Sequence, residues 1–201
     1  MEYSHNRLGG MERIMLLKKA QDLKKWEEIR TSEAYEGFRK VMKDFYEEME
    51  GDISVLQFRD FTDYFRTGTR LAFEKKYFHR RGQLLAAAGM YLLEKKQTYL
   101  ERLENIIWAI CDEYTWALPA HILSQQNTEK ARVYIDLFAG ETVFALSEIS
   151  CLLGDDLHPW VQDRIKNEAE RRIIKPYEDG NFFWENVEMN WAAVCAGSVG
   201  A

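Results

Sequence analysis

Proline and regular β-sheet patterns are scarce in this chain. Only three prolines occur in 201 residues, and no short segment alternates β-branched and polar side chains. A half-buried strand shows such an alternation and proline interrupts helix interiors, so both absences favour long helices. With 46% hydrophobic residues, the chain has enough apolar surface for one sizeable core. The sequence therefore predicts a single all-α domain.

Cysteine is scarce as well. The three cysteines, Cys111, Cys151 and Cys195, lie in apolar contexts without CxxC spacing or a neighbouring histidine pattern. Neither a disulfide framework nor a zinc site is indicated by these positions, so we expect three small buried hydrophobic side chains. No metal or other cofactor is expected.

Long apolar runs are also missing. Segments such as LLAAAGMYLL at 84–93 fall short of the about 20 residues that span a bilayer, and the N-terminus lacks the features of a signal peptide. We therefore expect no membrane span and a cytoplasmic location. The net charge of −6 argues against general binding to nucleic acid or anionic membranes, because those partners are negatively charged and bind positively charged protein surfaces.

One segment departs from this negative charge. Between residues 66 and 81 the only acidic residue is Glu74, whereas the basic residues are Arg66, Arg70, Lys75, Lys76, Arg80 and Arg81. Such a run is typical of a solvated helix face, and it can equally form a local anion-binding site. The composition alone leaves both interpretations open.

A repeated pattern dominates the middle of the chain. Residues 84–113 and 145–173 share one plan, in which a nearly all-apolar helix is followed by a short polar turn and an amphipathic helix. The buried stripes of the two amphipathic helices are predicted at Tyr99, Leu103, Ile106 and Ile110, and at Val161, Ile165, Ala169 and Ile173. Pro159 stands in the first turn of the second amphipathic helix, where its missing N–H costs nothing.

A helix that is apolar on all sides must be enclosed, and an amphipathic helix can pack its apolar stripe against it from outside. The repeat therefore predicts an α/α toroid with inner and outer helix layers. A third inner helix is predicted to begin near Asn190. The toroid would therefore be incomplete, with residues 1–55 as a helical lead-in and 56–201 as its truncated part. An interrupted ring exposes apolar inner helices, through which the chain could self-associate.

Two long loops are the strongest candidates for a binding site. They lie at 113–130 and 176–191, and long loops in compact domains are often functional. Their aromatic rings can stack on the faces of sugar rings, while amides and carboxylates hydrogen-bond the hydroxyls. The alternative is that Trp116 and Trp184 only complete the core and that His121 is a structural histidine.

Four motifs together resemble a known family. They are WAICDEYTWALPAH at 108–121, IDLFAGETVFALSEISCLLG at 135–154, HPWVQDRIKNEAERRIIKPY at 158–177 and NWAAVCAGSVGA at 190–201. In combination they resemble the N-terminal helical domain of heparinase II/III-like polysaccharide lyases, over most of the chain from about residue 56. In that family an α/α toroid precedes a β-sandwich domain.

The resemblance implies uronate β-elimination. A family asparagine neutralises the uronate carboxylate, a base removes the C5 proton, and an acid protonates the departing 4-oxygen. Asn190 stands at the asparagine position, whereas Trp191 replaces the histidine that often follows it. We expect Asn190 and His121 to be catalytic. The residues expected to bind an acidic oligo- or polysaccharide are Trp191, Trp184, Trp116, Tyr114, Arg66 and Arg70.

Three functions remain open on these residues. The chain is the N-terminal portion of a uronate-glycan lyase and is inactive by itself, or it is a carbohydrate-binding domain that has lost catalysis, as Trp191 suggests. The third is a structural or interaction module that closes its ring by self-association.

Overall fold

The computed structural model of the chain describes residues 20, 22–122, 128–180 and 182–200. These residues form ten α-helices, and none of them lies in a strand, which confirms the predicted all-α class. Residues 1–19 of the N-terminal lead-in, residues 123–127 of the 113–130 loop and Ala201 lie outside the described residues. The α-helices are α1 Leu23–Thr31, α2 Glu36–Glu48, α3 Phe58–Thr67, α4 Leu71–Glu94, α5 Gln97–Cys111, α6 Thr128–Arg132, α7 Leu137–Leu153, α8 Pro159–Ala169, α9 Lys175–Asp179 and α10 Asn190–Gly200.

Helix α2 follows a serine-capped turn and ends before a glycine. The Ser32 hydroxyl accepts a hydrogen bond from the Ala34 N–H at 3.3 Å and opens a 3-10 turn at Glu33–Tyr35, from which α2 continues. After α2 the chain turns at Gly51, whose φ of 108° suits glycine because it has no Cβ. Helix α2 packs on α4.

Helices α4 and α5 form the first predicted hairpin. Helix α4 ends at Lys95, whose left-handed φ of 53° terminates the helix before α5 begins. In α5 the stripe residues Leu103, Ile106 and Ile110 are buried, and Tyr99 packs at the edge of the same core.

Helices α7 and α8 form the second hairpin. The His158 ring caps α8 by accepting from the Trp160 N–H at 3.2 Å, and Pro159 occupies the first position of the helix, as predicted. Helix α8 continues through a π-helical turn at Glu170–Ile174 into α9. The stripe residues Val161 and Ile165 are buried in the core that α4, α5 and α7 share.

Helix α10 begins at Asn190, the position that the sequence predicts, and packs on α7. The two helices approach closely at Gly140, because a Cβ added there would lie 3.3 Å from the Ser198 Cβ. Cys195 of α10 is fully buried in the main core, and Cys111 is buried as well. The expectation for Cys151 is wrong, because this side chain is exposed on α7.

One segment of the described chain, Leu137–Asp156, is long and apolar enough to cross a membrane, with a mean hydropathy of 1.4. Length and composition are the only grounds for this, and the core helix of a soluble protein meets the same criterion. The segment contributes Ala139, Leu146 and Ile149 to the core. The absence of a membrane span therefore stays a prediction.

Candidate functional site

A histidine and an aspartate form the centre of the candidate site. His121 ends the short 3-10 helix Pro119–His121, and its Nδ1 lies 2.6 Å from Oδ2 of Asp136. Asp136 also caps α7, because its Oδ1 accepts from the Ala139 N–H at 2.8 Å. The same Oδ2 accepts from the Leu118 N–H at 3.0 Å. The carboxylate is fully buried, and these bonds fix both the helix start and the imidazole.

Aromatic rings surround the imidazole of His121. Its ring stacks on Phe138 with an angle of 14° between the planes, and its centroid lies 4.8 Å from that of Trp191. The Trp191 ring in turn packs against the exposed Phe183, with 5.4 Å between the ring centroids. Asn190, next to Trp191, is exposed at the first position of α10. The fold thus brings His121 and Trp191 into contact, with Asn190 adjacent to Trp191 in the chain.

The contact with Asp136 orients the His121 imidazole for proton transfer. A carboxylate at Nδ1 fixes the orientation of an imidazole, and when Nδ1 carries the shared proton, Nε2 keeps a lone pair that can accept one. The His121 side chain is 18% exposed, so Phe138 and Trp191 do not enclose it completely. Histidine held in this way is suited to acid or base chemistry at a protein surface.

The two remaining predicted tryptophans lie inside the core. Trp116 and Trp184 are each 1% exposed. Their indole N–H groups donate to the carbonyl oxygens of Ile110 at 2.9 Å and Ile135 at 3.0 Å. Rings buried to this extent stabilise the core and offer no face for stacking on a sugar. They therefore belong to the core beneath the segments that precede His121 and Trp191.

Tyr114 and the two arginines lie on other elements. Tyr114 is exposed, its hydroxyl donates to the Thr128 carbonyl at 2.8 Å, and it lines a separate cavity. Arg66 is exposed in the last turn of α3. Arg70 precedes α4 and forms an ion pair with Glu74 at 3.2 Å. The roles of Tyr114, Arg66 and Arg70 in glycan binding stay predictions.

A small cavity of about 140 Å³ lies between α4 and α7, close to the His121 cluster. Phe138 lines it and also stacks on His121, so the cavity and the cluster share one ring. Glu141 lines the same cavity. Partial burial raises the pKa of its carboxyl group, and the nearby charge of Asp136 acts in the same direction. A carboxyl group with a raised pKa is a candidate proton donor.

A buried charged cluster was missed by the sequence analysis. Arg80 Nη1 donates to Oε1 of Glu113 at 2.8 Å, and Arg81 Nη2 donates to Oε2 at 2.7 Å. The guanidinium of Arg81 also lies 3.5 Å from the ring centroid of Tyr77. Burial raises the pKa of Tyr77, whose hydroxyl donates to the Trp116 carbonyl at 2.7 Å. Nothing in the basic run at 66–81 distinguishes these two arginines from their exposed neighbours.

Within the described residues, no group of three or more His, Cys, Asp or Glu side chains is arranged to hold a metal ion. No protein-family model and no curated protein matches this chain, so the lyase-like interpretation depends on its motifs and on the site described above.

Proposed function

We propose that this chain is the N-terminal portion of a polysaccharide lyase-like protein that acts on uronic-acid-containing glycans by β-elimination. It forms one wall of the glycan cleft and turns over little or nothing alone. The observation that carries the proposal is the His121–Asp136 pair, which lies against Trp191, the residue that follows the exposed Asn190 in the chain.

Each step of the elimination has a candidate group in this proposal. The Asn190 amide donates to the uronate carboxylate, which makes the C5 hydrogen more acidic. A base takes that proton, the C4–O bond breaks as the C4–C5 double bond forms, and the leaving oxygen receives a proton from an acid. His121 is the candidate for one of these proton transfers, because Asp136 orients its ring.

The proposal includes an incomplete α/α toroid. Helices α4, α7 and α10 are assigned to the inner layer and α5 and α8 to the outer layer. Support comes from the packing of α7 on α10 and of α5 on α8, and from the apolar composition of α7 and α10. This assignment would place Glu141 and the cavity between α4 and α7 on the inner side, where the glycan binds.

A second candidate function is carbohydrate binding without catalysis. The observation that favours it is Trp191, which stands at the position of a family histidine and covers one side of His121. A ring there can stack on a sugar but cannot transfer a proton. A structural module that self-associates through the exposed part of α10 is the third candidate, supported only by the exposed small side chains of that helix.

Binding and turnover are tested separately. Calorimetry of the chain with uronate oligosaccharides should detect binding that Asn190→Ala weakens about tenfold, because a hydrogen bond to a charged group is lost. The matched control is Asn167→Ala, which alters an exposed asparagine on α8. Equal effects of the two substitutions would remove Asn190 from the site.

Turnover is tested in the complete protein that contains this chain. We expect ultraviolet absorbance from unsaturated uronates, and a rate that His121→Ala lowers by about 100-fold or more. Saccharide binding without any unsaturated product would decide for the non-catalytic candidate. Concentration-dependent sedimentation with no saccharide binding would decide for the structural module.

A further inference from the structure

A large cavity lies apart from the His121 cluster and has no part in the function proposed above. Its volume is about 760 Å³, within the range of small-molecule sites. Three phenylalanines line it, Phe58, Phe61 and Phe73, and Tyr114 closes one side. The Phe61 ring packs edge-on against both Phe73 and Tyr114, so the aromatic wall is preformed. Aliphatic side chains complete the apolar part of the lining, namely Ile53, Val55, Leu56 and Ala109.

The polar side of this cavity contains a buried arginine. Arg80 and Glu113 line it and are 6% and 1% exposed at their side chains. Glu113 is shared by Arg80 and Arg81, so two guanidinium groups have one carboxylate between them. The second acidic residue in the lining, Asp112, is already bound to Arg164 at 2.5 Å. The Arg80–Arg81–Glu113 group therefore has a net charge of +1, with Arg80 at this cavity and Arg81 at the cavity between α4 and α7.

Arg80 also has an unused hydrogen-bond donor. Its Nη1 donates to Glu113 and to the Ala109 carbonyl, and its Nη2 donates to the Ser54 carbonyl. Its buried Nε has no acceptor among the residues that the structure describes. A buried N–H without a partner costs free energy, so an acceptor that reaches Arg80 from the cavity is favoured.

We propose that this cavity binds a small amphipathic carboxylate, with its anionic group toward Arg80 and an aromatic or aliphatic body between the phenylalanines. The guanidinium of Arg80, whose buried Nε has no partner among the described residues, favours an anionic acceptor, because charge-assisted hydrogen bonds to guanidinium are strong. The apolar wall selects the body of the ligand, since hydroxyl-rich sugars would leave their polar groups unpaired there. The ligand class is thus different from that of the His121 cluster.

Calorimetry with three probes tests the ligand class on the intact chain. We expect phenylpropanoate to bind, and phenylpropanol to bind about tenfold more weakly because it loses the charge-assisted bond. Glucuronate, which has the carboxylate without the apolar body, should not compete. Equal binding of the acid and the alcohol would overturn the role of Arg80, and preferential binding of glucuronate would make the cavity part of a glycan site.

Two substitutions locate the binding. Phe58→Ala removes an exposed ring at the mouth of the cavity and should weaken phenylpropanoate binding about fivefold. Leu71→Ala, an equally exposed apolar residue outside the lining, should leave the affinity unchanged. Arg80→Gln should abolish the preference for the acid. If that variant fails to fold, the comparison of acid and alcohol on the native chain still decides. Equal effects of Phe58→Ala and Leu71→Ala, or no binding of phenylpropanoate, would refute the proposal.

Discussion

Replacing Asp136 should destabilise the protein more than the loss of an ordinary helix cap. Its two carboxylate oxygens accept from the Ala139 N–H, the Leu118 N–H and the His121 ring. Asp136→Ala removes the cap, at a cost of about 1 kcal/mol. It also leaves the buried Leu118 N–H without an acceptor, at about 2 kcal/mol more. We therefore expect a loss of about 3 kcal/mol, which lowers the Tm of a chain of this size by about 9 °C.

Asp136→Asn separates the two contributions. One amide oxygen can preserve the cap at Ala139, but the NH₂ group then faces the Leu118 N–H, where an acceptor is needed. The expected loss is about 2 kcal/mol, or about 6 °C in Tm. At an ordinary cap the same exchange is nearly neutral, because Asp and Asn cap equally well.

Asp22→Asn provides the matched control. Asp22 caps α1 through Oδ1 alone, in an exposed position, so its replacement by asparagine should change the Tm by less than about 1 °C. Thermal unfolding followed by circular dichroism measures all three variants. If Asp136→Asn were as stable as the native chain, the reasoning about the second oxygen would be refuted.

Three further predictions concern other titratable groups. Glu113→Ala leaves Arg80 and Arg81 without their shared carboxylate. Chemical denaturation should then show a free energy of unfolding lower by about 3 kcal/mol or more. A decrease below about 1 kcal/mol would contradict the buried ion pairs. Burial raises the pKa of the Cys111 and Cys195 thiols to about 12. At mildly alkaline pH a disulfide reagent should therefore modify the exposed Cys151 first. Simultaneous labelling of all three cysteines would argue against the burial of Cys111 and Cys195. The pKa of Glu141 is raised above 4.5 on folding, so the stability of the protein falls as the pH rises through the folded-state pKa. Glu141→Gln should therefore raise the Tm at neutral pH and lose this advantage in acid. An equal change in Tm at both pH values would contradict the raised pKa.

The helical hairpins could be predicted because their signals are local. Apolar residues at helical spacing indicate the buried face of α5, and the His158–Pro159 pair indicates the start of α8. Each signal is contained in a few consecutive residues, and the structure has the helices there. The start of α10 at Asn190 follows from the same kind of pattern.

The candidate site could be predicted only in part. The sequence points to His121 through its loop and to Asn190 and Trp191 through the family resemblance. It does not point to Asp136, because the partner of that carboxylate lies on a different element. The same limitation applies to Trp116, whose exposure cannot be read from the loop in which it stands.

The sequence by itself determined the two helical hairpins, the start of α8 at Pro159 and the stripes that face the core, since these depend on neighbours within one or two turns. Only the tertiary structure decided which charged and aromatic residues are enclosed. Arg80 and Arg66 belong to the same basic run, yet Arg80 is buried against Glu113 while Arg66 faces solvent. The physical reason is that burial and charge pairing depend on contacts between segments far apart in the chain, which no local pattern records.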